Sequence, residues 1–336
     1  MILVLNCGSQ SIKYKAFSDG LRLVKEKKIV VKSRLSYQKI LTQELKGLKN
    51  FGGEIRIIGH RVVHGGERFR KPISITPPVL RELARYNKLA PLHNPFNLLG
   101  IKISSKVFPE TKQVAVFDTG FYQDLPEYAF LYPLPEKIRE KYGFRRFGFH
   151  GISHQYAAKM AAGKKVIVCH LGGGGSITAV KNDKAVDTSM GFTPLEGVTM
   201  MTRPGDLDPG VVLELTKIFS PKKADEILNY ESGLKGICGL SDMKEILKKA
   251  AQGDRKANLA LKIFVYRIQK YIGAYFAVLG GCDTLVFTGA IGAGSPKIRN
   301  MICRNLNILR KPQKVKILVV EPNEELAIAQ ELTKYV

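Results

Sequence analysis

The chain has 336 residues, a length that favours two domains of ordinary size, and 45% of them are apolar, enough to fill real cores. No apolar run is long enough to cross a bilayer, and the widest, residues 274–279, falls far short. The net charge of +24 admits anionic partners, nucleic acid included. The lysines are scattered, however, and neither an aromatic-interleaved basic motif nor a zinc knuckle goes with them, so a solvated basic surface that draws in anionic substrates accounts for the charge. The N-terminus carries no basic leader, which points to a cytoplasmic location. Cys7, Cys169, Cys238, Cys282 and Cys303 are widely spaced, odd in number and without a C-x-x-C pair. They read as small, buried, reduced thiols rather than disulfides or zinc ligands.

In chain order, residues 2–5 predict a strand and residues 6–11 a polar tip. A second strand follows, in which Ile12, Tyr14 and Ala16 face one side and Lys13 and Lys15 the other, as the period of two requires. Together they predict a β-hairpin. The continuous apolar runs 114–117, 166–169, 285–287 and 317–320 predict parallel strands covered on both faces. Helical spacing of Leu261, Phe264, Ile268, Ile272 and Phe276 predicts a helix over 257–278, and residues 324–332 a closing helix with Asn323 as its N-cap. Strands alternating with helices give an α/β class.

Six segments carry candidate chemistry. In the hairpin tip, Gly8 permits close backbone approach, Ser9 and Ser11 offer hydroxyls and Lys13 a point charge. That set suits a phosphate but equally an ordinary hairpin, and the P-loop spacing is absent. His170-Leu171-Gly172-Gly173-Gly174-Gly175-Ser176 follows a strand, and its glycines can turn backbone N–H groups towards an anion. Residues 287–295 form a small-residue run that admits a flat group such as adenine or ribose. Asp118 ends a strand, and Glu324 follows another; each is a hard oxygen donor for Mg²⁺, or a capping or surface acid. Arg61 and Arg203 stand among glycines and a proline, and their guanidinium groups match carboxylate or phosphate. His150 and His154 have i, i+4 spacing without the H-E-x-x-H glutamate, so a histidine donating to a phosphoryl oxygen is the better reading than zinc. No G-x-S-x-G elbow occurs.

In combination these segments resemble the acetate kinase family, of the acetate and sugar kinase/Hsp70/actin superfamily. The resemblance runs almost end to end: HRVVHGGERF at 60–69, APLHNP at 90–95, VFDTGFY at 116–122, RRFGFHGISH at 145–154, DTSMGFTPLEG at 187–197 and TRPGDLDPG at 202–210. It implies two ribonuclease-H-like domains with the active site in the cleft between them, residues 1–122 plus 323–336 forming one and 123–322 the other. It implies Mg²⁺-dependent phosphoryl transfer, with Mn²⁺ as a substitute, from ATP to acetate, giving ADP and acetyl phosphate in a homodimer. Asp118, His150 and Arg203 would be catalytic, the last two stabilising the transition state. Arg61 would bind the acid, with Val63, Leu92, Phe149 and Pro194 around its methyl group. Asn6, Ser9, Ser11 and Lys13 would line the phosphate end, and Asn6 and Glu324, with Asp118, would place the metal. His170, Gly172, Gly173 and Gly174 would cradle phosphate. Asp242, Met243, Lys244, Ala290, Ile291, Gly292, Gly294 and Ile298 would meet the nucleotide.

Departures from the family cluster on the nucleotide side. Gly173 replaces an asparagine and Gly175 an alanine, Ala290 a glycine, Ala293 and Gly294 a Glu-Asn pair, and Lys244 an arginine. Segments before Arg61 and between Leu309 and Val315 are shorter than usual. An ATP-dependent acetate kinase is therefore the first reading. Propionate as acceptor, or another donor such as pyrophosphate, is the second. A non-catalytic protein binding nucleotide or nucleic acid is the third, opposed by the intact set Asn6, Arg61, His93, Asp118, His150, Arg203 and Glu324.

Overall fold

The computed structural model describes residues 1–9, 11–31, 33–49, 53–91, 93–309 and 315–335. The chain divides into two compact units, Met1–Gln123 with Asn323–Val336, and Asp124–Pro322.

The first unit is built on a six-stranded sheet. Its strands are β1 (Ile2–Cys7), β2 (Ser11–Phe17), β3 (Leu23–Val30), β4 (Ile57–Val62), β5 (Ile73–Ser74) and β6 (Lys112–Phe117), in the order β3-β2-β1-β4-β6-β5. β1, β2 and β3 pair antiparallel, and β4 and β6 run parallel to β1. The alternation predicted for β2 is present: Ile12, Tyr14 and Ala16 are buried while Lys13 and Lys15 stay partly exposed. Helices Arg34–Lys49 and Asn94–Val107 add Leu41, Leu45, Phe96 and Ile103 to the core with Leu3, Leu5 and Ile12. The closing helix Glu324–Leu332 begins where the sequence places it, and the Asn323 side chain accepts from the Leu326 N–H. It lies close on β4 because Gly59 has no side chain; a Cβ there would stand 2.5 Å from Leu332 Cδ1.

The second unit holds a five-stranded sheet of β7 (Lys165–Leu171), β8 (Gly175–Lys181), β9 (Lys184–Thr188), β10 (Thr284–Thr288) and β11 (Lys316–Val319), ordered β11-β10-β7-β8-β9. β7, β8 and β9 are antiparallel, and β10 and β11 run parallel to β7. That is the arrangement of β3-β2-β1-β4-β6 again, so the same five-strand pattern occurs once in each unit. Helix Arg255–Leu279 buries Leu261, Phe264, Ile268 and Ile272 as its spacing predicts, with Phe276 packed at the margin of that core.

Two expectations need correction. The run 317–320 is not covered on both faces: Ile317 is 47% and Val319 40% exposed. β11 pairs only with β10 and ends the sheet, so its apolar content reflects an edge rather than an interior position. Cys7, Cys169 and Cys282 are buried free thiols, but Cys238 and Cys303 are only half-buried. Among the described residues no helix is long and apolar enough to cross a membrane.

Candidate active site

In the first unit the functional side chains gather at the ends of β1, β4 and β6. Arg61 is the penultimate residue of β4, and Asp118 directly follows β6, whose neighbour is β4. The Arg61 guanidinium grips the carboxylate through Nε (3.1 and 3.2 Å to the two oxygens) and Nη2 (2.7 Å). Asp118 is 2% exposed and its N–H donates to Val62 O, so backbone and side chain are both held. Burial pushes the Asp118 carboxyl above its usual range, against the pull of Arg61, and Glu324 adds repulsion. Burial disfavours the Arg61 charge too, but the Asp118 carboxylate outweighs it and keeps the guanidinium firmly protonated.

At the β1–β2 turn the Gly8 N–H donates to Ser11 O at 2.9 Å, closing the hairpin tip that carries Ser9 and Ser11. Lys13 Nζ reaches Glu325 Oε2 at 2.8 Å, and Asn6 Nδ2 reaches Glu325 Oε1 at 3.4 Å. Glu325 is fully buried, whereas Glu324 begins the helix beside it and remains partly accessible. The acid that anchors Asn6 and Lys13 is thus the second of the Glu-Glu pair, which the sequence pattern did not single out. Asn94 and Asn97 were also missed. Asn94 bonds the N–H and carbonyl of His64 (3.0 and 2.9 Å), and Asn97 joins the Val63 N–H (3.1 Å) to Cys7 O (2.8 Å). Their i, i+3 spacing at a helix start was the available signal. Val63 is buried; Leu92 lies outside the described residues, as do residues 310–314, where the second shortening falls.

In the second unit a histidine–serine cluster surrounds the start of β8. His150 Nδ1 and His154 Nε2 both meet Ser176 Oγ, at 2.9 and 2.7 Å. His170 stacks on His150 with ring centres 4.4 Å apart, and its Nδ1 meets Ser153 Oγ at 2.8 Å. The i, i+4 histidines therefore converge on a hydroxyl. Burial holds His154 far below its usual pKa, so its ring is neutral. His150 adopts the left-handed conformation (φ 57°) at the N-cap of helix Gly151–Lys159, a strained backbone for a side chain of its size.

The glycine turn lies against this cluster. A Cβ built on Gly174 would stand 3.5 Å from His150 Nε2 and 3.8 Å from Arg203 Nη1, so both side chains flank it. The Gly172 N–H is not available to an anion, contrary to expectation; it donates to Gly174 O at 2.8 Å within the turn. Gly173 is open, with nothing within 4 Å of a Cβ. After β10 the chain passes close to the same turn, and Gly289 (φ 79°) is required there because a Cβ would lie 2.5 Å from Leu171 O. Helix Gly289–Gly294 follows, carrying Ala290, Ile291, Gly292 and Gly294; Arg299 Nη1 caps it at Gly292 O (2.8 Å).

Arg203 is half-buried and forms no ion pair among the described residues; burial lowers its pKa from the usual arginine range. Phe149 is buried and Pro194 partly exposed. Three of the expected nucleotide residues have structural duties. Asp242 caps helix Met243–Ala251 through the Lys244 and Glu245 N–H groups (2.9 and 3.0 Å), and Met243 and Ile298 are packed in the core. Lys244 is exposed.

A paired five-strand pattern, with arginines, a histidine and a glycine turn at the strand ends, defines the actin-like class of phosphotransferases. A ROK family protein from Streptococcus pneumoniae shares this fold at 11% identity and a TM-score of 0.53. Nearer relatives narrow the class. A family model described as the acetokinase family matches residues 24–330. The acetate kinases of Dictyoglomus turgidum and Dictyoglomus thermophilum are 41% and 42% identical over all of this chain and over 97% and 99% of their own. Those alignments span 394 positions, more than this chain's 336 residues, which fits its shortened segments. The crystal structure of Porphyromonas gingivalis acetate kinase matches with a TM-score of 0.90 at 35% identity, covering 99% of this chain and 98% of that one. A propionate kinase from Francisella tularensis matches at 0.89 and 37%, covering 98% of each. The chain belongs to the acetokinase family, phosphotransferases whose acceptor is a carboxyl group.

Proposed function

We propose that this chain transfers the terminal phosphoryl group of ATP reversibly to acetate, giving acetyl phosphate and ADP by direct in-line attack. The observation that carries the reading is Arg203: a half-buried guanidinium with no carboxylate partner among the described residues, set beside His150 and the Gly174 backbone. A cation desolvated without an anion is poised for an anionic ligand.

The acetate oxygen forms the new P–O bond as the bond to the ADP oxygen breaks. Acetate is ionised at pH 7, so no strong general base is required. Arg61 has two of its nitrogens on Asp118, which leaves Nη1 for an oxygen of the acid. Val63 is the first unit's apolar side chain proposed for the methyl group, and Phe149 and Pro194 are the second unit's candidates for the same role. Arg203 and His150 would meet charge that builds on the equatorial oxygens. Ser176 can prepare His150 for that task. A neutral His154 that donates from Nε2 to Ser176 lets the hydroxyl donate to His150 Nδ1, which leaves His150 Nε2 carrying the proton next to Gly174.

The first unit fits a hard cation. Glu324, Asp118 and the Asn6 amide oxygen are oxygen donors, and the Glu324 charge acts on both Asp118 and Arg61. Among the described residues no three His, Cys, Asp or Glu side chains form a cage, as suits Mg²⁺, which keeps waters and substrate phosphates as ligands. When bound, Mg²⁺ (or Mn²⁺) would neutralise charge on the phosphates. The hairpin tip with Ser9, Ser11 and Lys13 supports the phosphate end. Work in the cytoplasm as a homodimer belongs to the same reading. Exposed Leu213 (61%), Ile218 (68%) and Tyr266 (59%) on the second unit support the dimer, and light scattering at the monomer mass would count against it.

Propionate is the second acceptor to consider, because the propionate kinase relative is as similar as the acetate kinase structures. The test is to trap acyl phosphate with hydroxylamine, supplying Mg²⁺ with ATP, GTP or pyrophosphate and acetate, propionate or butyrate. Acetyl hydroxamate with ATP is expected. No product with any donor would overturn the reading in favour of a non-catalytic nucleotide- or nucleic-acid-binding protein.

A further inference from the structure

Arg203 has no carboxylate among the described residues to hold its side chain, so its position depends on its loop. That loop is fixed by a set of hydrogen bonds. The Met200 N–H donates to Arg203 O (2.9 Å), the Ser232 N–H to Thr202 O (3.1 Å), Thr202 Oγ1 to Asn229 O (2.8 Å) and Thr199 Oγ1 to Pro204 O (2.9 Å). Gly205 (φ 75°) is pressed so close to the preceding strand of the loop that a Cβ would lie 2.4 Å from Gly197 O.

The Thr202 bonds tie the loop to residues 229–232, and a further tie comes from Asp206, three residues beyond Arg203. Its N–H donates to Gly197 O and its Oδ1 accepts from the Gly197 N–H, both at 2.8 Å. Its second oxygen accepts from the Tyr271 hydroxyl at 2.7 Å. Tyr271 stands on helix Arg255–Leu279, which supplies much of the second unit's core. The carboxylate therefore ties both limbs of the loop to the long helix that supplies much of the unit's core. It is aimed at Gly197 and Tyr271, and among the described residues its side chain forms no hydrogen bond or ion pair with Arg203.

We propose that Asp206, seated on the Tyr271 hydroxyl, is the positioning residue that holds Arg203 in its working place for phosphoryl transfer. The inference rests on the reading of Arg203 as a transition-state cation. Asp206→Asn keeps the size of the side chain but turns one acceptor oxygen into a donor facing an N–H or an O–H. Tyr271→Phe removes a single hydroxyl and keeps the ring in the core, so it serves where Asp206→Asn folds poorly.

The test is a double-mutant cycle with Arg203→Ala, following acetyl hydroxamate formation and thermal unfolding. Asp206→Asn should lower kcat about 10–100-fold and Tyr271→Phe about 3–10-fold, with KM for acetate and ATP moving less than about threefold. In the Arg203→Ala background both losses should shrink to less than about twofold, because the group they position is gone. A merely structural role would give the same fold-loss in both backgrounds, and that result would overturn the proposal. So would near-native kcat in both single variants. A wild-type chain that forms no acyl phosphate with any donor would instead sink the proposed function, a different and separable failure.

Discussion

The two units share a strand order and treat charge in opposite ways. In the first, every functional cation has its anion: Arg61 lies on Asp118, Lys13 on Glu325, and Lys15 between Glu26 and Glu325. In the second, Arg203 has no carboxylate partner among the described residues, and a serine-linked histidine pair with a neutral His154 stands near it. The turns at corresponding places, β1–β2 and β7–β8, differ likewise. One presents Ser9, Ser11 and the following Lys13, the other Gly172, Gly173 and Gly174. A paired cation is part of the fold; an unpaired one is held ready for a ligand. Loss of each should therefore be felt in a different observable.

The sharpest break is Arg203→Ala. Turnover should fall roughly 10³–10⁵-fold, about 4–7 kcal/mol of barrier, by analogy with other arginine clamps. Thermal stability should stay level or rise, since a desolvated unpaired charge is removed; near-native kcat in the folded variant would refute its role. Arg61→Ala should lose activity and stability together. It strands the buried Asp118 carboxylate, which costs about 3 kcal/mol, and a melting curve like wild type would contradict the paired picture.

Acid should expose the first unit next. His60, bonded to Gln113 at 2.7 Å, has its pKa lowered by burial to about 4, and burial lowers His64 to about 3. Their folded pKa values lie below the unfolded value near 6.5, so between these limits the unfolded chain binds more protons. Stability is complete above about pH 6.5 and declines as pH falls towards 4. His60→Gln should flatten that decline by roughly 1 kcal/mol per pH unit, measured by urea unfolding at pH 7, 6 and 5. An unchanged slope would show that His60 is not buried neutral. The smallest effect is expected at the glycine turn. Gly173→Asn meets open space and adds an amide, so KM for ATP should fall roughly 3–10-fold without a stability change. An unaltered KM would mean that this side of the turn does not face the donor.

The sequence exposed those parts that local patterns dictate. The hairpin alternation at Ile12, Tyr14 and Ala16, the long helix through Ile268, and the Asn323 cap all follow from periodicity or short-range bonding. Arg61, Asp118, His150 and Arg203 stood out because glycines, prolines and strand ends surround them. What stayed hidden depends on partners far away in the chain. The Asp118 grip joins residues 57 positions apart, and Lys13 meets Glu325 across 312. Ser176 read as the end of a glycine run and became the hinge of two histidines only once β8 was paired. The edge position of β11 was equally unreadable, because an apolar run looks the same at the margin of a sheet as at its centre.

The closing helix adds a consequence for how the molecule is made. Residues 323–336 complete the first unit, packing Ile328 and Leu332 over Gly59 and bringing Glu325 to Lys13. Synthesis delivers them only after all of the second unit. The first unit must wait for residues 323–336, with β1 and β4 uncovered in the meantime. The contiguous second unit can fold as it emerges. A released chain truncated after residue 322 should accordingly shield its second sheet from protease while its first remains open to attack.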